Sequence, residues 1–223
     1  MKSFVLRACS GEATLASNAS LPFVILASGT GTNARALLEA ARSSPEILRC
    51  VGLVSDRPGV GALEIAANFG VETSVIPANS EAKLLEFLRQ KEARWACLAG
   101  YKRIVPKDFL DFFHDPALGF SRVMNVHPSL LPAYPGLHGY RRAFADGVKV
   151  AGVTVHLVDG GLDTGHVILQ RAFAREEADD EAAFTAKGRA IELELFPAAL
   201  RLAAENRIRL RAGEKSRWVS LEE

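Results

Sequence analysis

The run MNVHPSLLPAYPGLHGY places an amide, Asn125, two residues before an imidazole, His127. In an extended segment that spacing puts both side chains on one face. An amide NH₂ and an imidazole can each donate a hydrogen bond to a carbonyl oxygen that becomes negative under attack, so acyl transfer is the reaction class this pair suits. A lone N-x-H could equally satisfy backbone groups at a strand end. What shifts the balance is Asp163, in the glycine-flanked turn GGLDTG, whose carboxylate is free to face the same edge or else to close an Asx-turn. A carboxylate beside His127 is expected to raise the imidazole pKa and supply a proton donor at neutral pH.

A second constellation is the turn ASGTGTN, residues 27 to 33. It joins an apolar run to a helical stretch, where unpaired N–H groups and the helix dipole favour an anion such as phosphate. Gly29, Gly31 and Ala34 fit the relaxed dinucleotide fingerprint, and Asp56 follows the second apolar run as the acidic residue such a site needs. No Gly-Lys-Ser/Thr follows, so this is not a Walker loop. His114, His138, His156 and His166 show no metal-ligand spacing, and His156 in VTVHLV is expected to be a packing or hydrogen-bonding residue of a strand face. Cys9, Cys50 and Cys97 are odd in number and form no C-x-x-C. No metal is predicted.

These residues need a scaffold. FVILA (23 to 27), CVGLVS (50 to 55), VETSVIP and WACLAG (95 to 100) read as strands, with helices after Asn33, over GALEIAAN, from 81 to 90 and after Pro106. That alternation predicts an α/β fold, a Rossmann-like and mostly parallel sheet with helices on both faces. RVMNV (122 to 126) leads into the Pro-rich stretch 127 to 140, expected to be irregular and functional. Two further strands flank GGLDTG. A closing helix over 180 to 206 should be kinked or interrupted at Pro197. RIRLRAGEKSRWVSL predicts a C-terminal hairpin turning at Gly213. Residues 1 to 21 read as a poorly ordered leader and 22 to 223 as one catalytic domain.

Lys and Arg number 27 against 26 Asp and Glu, so no basic surplus points to nucleic acid. No apolar run approaches the roughly 20 residues that span a bilayer. With 48% hydrophobic residues in 223, one substantial core is expected, in a reducing, cytoplasmic setting.

Taken together, SGTGTN, SDRPGVGALEIA, LAGYKRIV, MNVHPSLLPAYPGLHG and GVTVHLVDGGLDTGHVILQ resemble the glycinamide ribonucleotide formyltransferases over about residues 22 to 220. The resemblance implies the formyltransferase fold. It also implies transfer of a formyl group from 10-formyltetrahydrofolate, as co-substrate, to the amine of 5-phosphoribosylglycinamide. Asn125 and His127 would hold and protonate the formyl oxygen, and Asp163 would tune His127 and order a proton-shuttling water. Gly31, Thr32 and Asn33 would bind the substrate phosphate and Glu192 the ribose hydroxyls. The backbone of Lys102, Arg103, Ile104 and Val105 would clasp the pteridine. The family's L-P turn implies a cis bond between Leu131 and Pro132. Two departures stand out: Ser80 lies where relatives often carry a folate-binding arginine, and His166 replaces a proline. The implied partners are small molecules, with no nucleic acid or membrane, for a monomer or homodimer. Methionyl-tRNA formyltransferases share the N-x-H and the late Asp but add a basic barrel, for which this chain is expected to end too soon. Formyltetrahydrofolate hydrolases add an N-terminal domain for which residues 1 to 21 are too few.

Overall fold

The structure, a computed structural model, describes residues 20–77, 79–210 and 219–221. Most of the expected leader and the expected turn at Gly213 lie outside the described residues. Leu21, assigned to the leader on sequence, already belongs to the first strand.

Seven strands form one sheet in the order β3-β2-β1-β4-β7-β8-β9. They are β1 (Leu21–Leu26), β2 (Leu48–Ser55), β3 (Thr73–Val75), β4 (Trp95–Leu98), β7 (Val123–His127), β8 (Val150–Leu157) and β9 (Val167–Ala174). β1 to β4 and β7 run parallel, and β8 and β9 are antiparallel to their neighbours. Two small ladders stand apart from this sheet. One pairs β5 (His114–Asp115) with β6 (Phe120–Ser121), and the other pairs β10 (Ile208–Leu210) with β11 (Val219–Leu221), the expected C-terminal hairpin.

Strand alternation explains why helices cover both faces. Phe23, Ile25, Trp95 and Cys97 point into one core layer, packed by α1 (Thr32–Ser43), α2 (Gly61–Asn68), α5 (Gly139–Ala145) and α6 (Glu181–Ala204). Val24, Leu26, Ala96 and Leu98 point into the other, packed by α3 (Glu81–Gln90) and α4 (Lys107–Phe112). A strand buried on both sides reads as a continuous apolar run, which is how FVIL and WACL appear.

Three expectations need correction. α6 runs unbroken through Pro197. Proline has no N–H for the Leu193 carbonyl, and its interior position costs about 3 kcal/mol. The same helix buries Leu195, Phe196 and Leu200, worth about 1.5–3 kcal/mol each, so packing outweighs the local defect. The stretch 127 to 140 ends in helix, because Gly139 and Tyr140 open α5, which the prolines upstream obscured. α1 starts at Thr32 rather than Asn33, and its cap is Gly31 with φ of 86°, without a side-chain cap bond.

Candidate active site

β7 ends at His127, and the chain then makes the loop 128 to 138, which contains the expected cis bond between Leu131 and Pro132. β8 runs antiparallel beside it, so His156 lies opposite Asn125 and Thr154 opposite His127. Because β8 descends past β7, its end at Leu157 sits beside Met124, and the following turn must double back to bring Asp163 to His127. It does so. The Asp163 carboxylate lies 3.2 Å from His127 Nδ1 and 3.6 Å from His156 Nε2.

The contacts around these side chains fix their hydrogens. His127 Nε2 donates to the Tyr134 carbonyl at 2.8 Å. His156 Nδ1 donates to the Leu157 carbonyl at 2.8 Å, since a carbonyl only accepts, and its Nε2 faces Asn125 Nδ2 at 3.4 Å. Asp163 also accepts the Gly136 N–H at 2.7 Å, which ties the loop after β7 to the turn after β8. Asp163, Tyr134 and His138 all have φ between 53° and 62°. For non-glycine residues this left-handed region costs on the order of 1–2 kcal/mol each, and such strain concentrates at functional sites held by their surroundings.

Electrostatics here depart from expectation in one respect. Burial pushes the His127 imidazole below its ordinary value, outweighing the upward pull of the Tyr134 carbonyl and of Asp163. The carboxylate acts in the expected direction but does not win. Asp163 itself is pulled down to about 2: burial pushes it up, and the neighbouring His156 and His127 imidazoles with the Gly136 N–H hydrogen bond more than offset that. It is an anion at any pH near neutrality.

Asn125, His127, His156 and Asp163 line a cavity of about 360 Å³. That volume suits a small organic ligand. Lys102, Arg103, Ile104 and Val105 line the same cavity. An amide donor, an imidazole and a fixed carboxylate on one wall can stabilise an oxyanion and move a proton beside it.

Gly31, Thr32, Asn33 and Glu192 gather in a second cluster. Asn33 Nδ2 and the Tyr140 hydroxyl each donate to the Glu192 carboxylate at 2.7 Å, while Asn33 Oδ1 is buried with no partner among the described residues. Gly31 is required sterically: a Cβ there would lie 2.6 Å from the Ala62 Cα of α2. The dinucleotide alternative loses its acidic residue, because the Asp56 side chain is fully buried and engaged by Arg57 and Arg103. Among the described residues, no three His, Cys, Asp or Glu side chains are grouped to hold a metal ion.

With this geometry in view, the matching family model is decisive: the formyl transferase model covers residues 21–200. The chain belongs to the formyl transferase family. Within that family it is 32% identical to the phosphoribosylglycinamide formyltransferase of Bacillus subtilis, over 87% of this chain and 98% of that one. It is 37% identical to the trifunctional purine biosynthetic protein adenosine-3 of Drosophila melanogaster, over 79% of this chain, which spans 13% of that much longer protein. Among solved structures, glycinamide ribonucleotide transformylase 1 from Symbiobacterium toebii superposes with a TM-score of 0.83 at 36% identity, covering 92% of this chain and 95% of that one.

Sequence reasoning missed two residues that the fold brings into these clusters. His156 is 2% exposed and packs between Asn125 and Asp163 rather than serving a strand face alone. Its signal was an imidazole inside an otherwise apolar, doubly buried strand, where a polar group needs partners. Tyr140 lay hidden in what read as loop.

Proposed function

We propose that this chain transfers a formyl group from 10-formyltetrahydrofolate, bound as co-substrate in a cytoplasmic enzyme, to the amine of 5-phosphoribosylglycinamide. The products are formylglycinamide ribonucleotide and tetrahydrofolate, a step of de novo purine synthesis. The observation that carries this reading is the meeting of Asn125, His127 and Asp163 in a cavity that the 102–105 segment also lines.

Asn125 donates to the formyl oxygen as it becomes negative. His127 rests largely neutral because it is buried. An oxyanion growing beside it, added to the Asp163 carboxylate, strengthens its hold on a proton, so the imidazolium forms when the negative charge does. The amine nitrogen bonds to the formyl carbon while the carbonyl π pair moves to oxygen. The proton the amine loses passes through His127 and water held at Asp163 to the folate nitrogen. The bond from that nitrogen to the formyl carbon then breaks as the carbonyl re-forms.

The backbone of Lys102, Arg103, Ile104 and Val105 clasps the pteridine. The amides of Gly31, Thr32 and Asn33 receive the phosphate at the start of α1, and Glu192 binds the ribose hydroxyls. The unpaired Asn33 Oδ1 accepts a hydrogen bond from the ribonucleotide, which accounts for a buried acceptor without a donor. The partners are these small molecules, with no nucleic acid, membrane or metal. Every group assigned comes from one chain, which suits a monomer or a homodimer.

The test is to mix protein and 10-formyltetrahydrofolate with glycinamide ribonucleotide, with charged methionyl-tRNA, or with no acceptor, and to follow tetrahydrofolate release. Release is expected with the ribonucleotide alone. Equal release without an acceptor would mean a hydrolase, and the proposal would fail.

A further inference from the structure

Asp56 follows β2 and, among the described residues, is the most completely enclosed carboxylate outside the site just described, with its side chain wholly inaccessible to solvent. Its Oδ2 accepts from Arg103 Nε at 2.8 Å, and Arg57 donates through Nε to Oδ1 and through Nη2 to Oδ2, both at 3.3 Å. The Ser28 hydroxyl also bonds to this carboxylate, and Ser28 Oγ in turn accepts the Lys102 N–H at 3.3 Å. Burial pushes the Asp56 carboxyl up, and the two arginines and Ser28 more than offset it, holding the group at about 2.

The segment this network touches has little else to hold it. Residues 102 to 105 form neither helix nor strand, and among the described residues none of them makes a backbone-to-backbone hydrogen bond. Ile104 is 73% exposed, and only Val105 is anchored in the core. A stretch with so few internal bonds opens easily unless side chains pin it. Asp56 supplies two such pins on consecutive residues. The same Ser28 lies in the turn between β1 and α1, and its N–H donates to the Gly100 carbonyl at 3.3 Å, just before the segment.

We propose that Asp56 is a positioning residue for the folate co-substrate: its buried carboxylate fixes the Lys102–Val105 wall of the cavity by gripping Arg103 directly and Lys102 through Ser28. This rests on the formyl transfer reading above. Asp56 does not touch the reacting atoms, and the ribonucleotide cluster at Asn33, Tyr140 and Glu192 has no bond to it. Its loss therefore falls chiefly on the folate side. A charge-assisted hydrogen bond of this kind is worth about ten- to a hundredfold in an equilibrium constant.

The experiment uses the full chain and steady-state kinetics with each substrate varied, together with calorimetric binding of tetrahydrofolate. Asp56→Asn, which keeps the volume and loses the charge, is expected to raise the KM for 10-formyltetrahydrofolate and the Kd for tetrahydrofolate about ten- to a hundredfold. The ribonucleotide KM and the kcat at saturation should stay within about threefold, as expected for a contact that binds ground state and transition state alike. Ser28→Ala, which removes only the relay to Lys102, should give a smaller rise in the same direction and serves if Asp56→Asn folds poorly. With Arg103→Ala in place, the Asp56→Asn effect should shrink, because the two residues share one contact. An unchanged folate KM, a ribonucleotide KM that rises equally, or fully multiplicative losses would each overturn the inference while the wild type still transfers formyl. A wild type that transfers none would instead overturn the reading beneath it.

Discussion

Replacing Asp163 by Asn keeps the shape of the side chain and removes its charge, so it isolates what the carboxylate does. The folded protein holds this group at about 2 against an ordinary 3.8. A depressed carboxyl pKa stabilises the fold in full above the unfolded value and loses that contribution as pH falls through the folded value. The difference corresponds to about 2 kcal/mol at pH 7, and about half of it should survive at pH 3. Urea denaturation of wild type and Asp163→Asn at pH 3, 5 and 7 should therefore show a gap that is present at 7 and 5 and narrows toward 3. In kinetics, the variant removes an upward pull on His127, which burial already holds low, so the pH limb set by the imidazolium should move to still lower pH. The kcat should fall by about 10² to 10⁴-fold, the usual contribution of a proton-transfer group, with both KM values much less affected. Combining the change with His127→Asn tests the coupling. If the two losses multiply strictly, charge at Asp163 is not acting through His127 and the mechanism is wrong, and a stability gap as wide at pH 3 as at pH 7 would mean that the fold does not hold this carboxyl low.

Tyr140→Phe removes one of the two donors to Glu192 and should raise the ribonucleotide KM roughly threefold to tenfold, leaving the folate KM unchanged in initial-rate measurements. Gly31→Ala should lower stability by more than about 1 kcal/mol in urea titrations, because φ is 86° and the new Cβ would press on Ala62. It follows that a bulky residue at Gly31 is a poor probe of the phosphate contact by itself, since α1 and α2 would have to part before any ligand was affected.

The sequence determined by itself what depends on local pattern. Doubly buried strands had to be continuous apolar runs, so β1, β2 and β4 were legible, as was α3, whose bounds match the expected 81 to 90. Period-two spacing at a strand end placed Asn125 and His127 on one face, and the glycines around Asp163 marked a turn free to approach them. What the sequence could not carry was which strand lies next to which. His156 joined the site only because β8 pairs antiparallel with β7 in a register that sets it opposite Asn125, a relation separated by 31 residues. Tyr140, Glu192 and Asn33 meet for the same reason, through the packing of α5 and α6 beside α1. Asp56 looked like a free ribose ligand until the fold closed Arg103 over it. The direction of the His127 shift was likewise undecidable from residue types, because a nearby carboxylate and burial pull oppositely and only the tertiary structure says how deeply the ring is buried. Pro197 failed as a helix breaker on the same ground. Its local cost is fixed by covalent chemistry, but the apolar area α6 buries against the sheet is set by the whole fold, and that is the larger quantity.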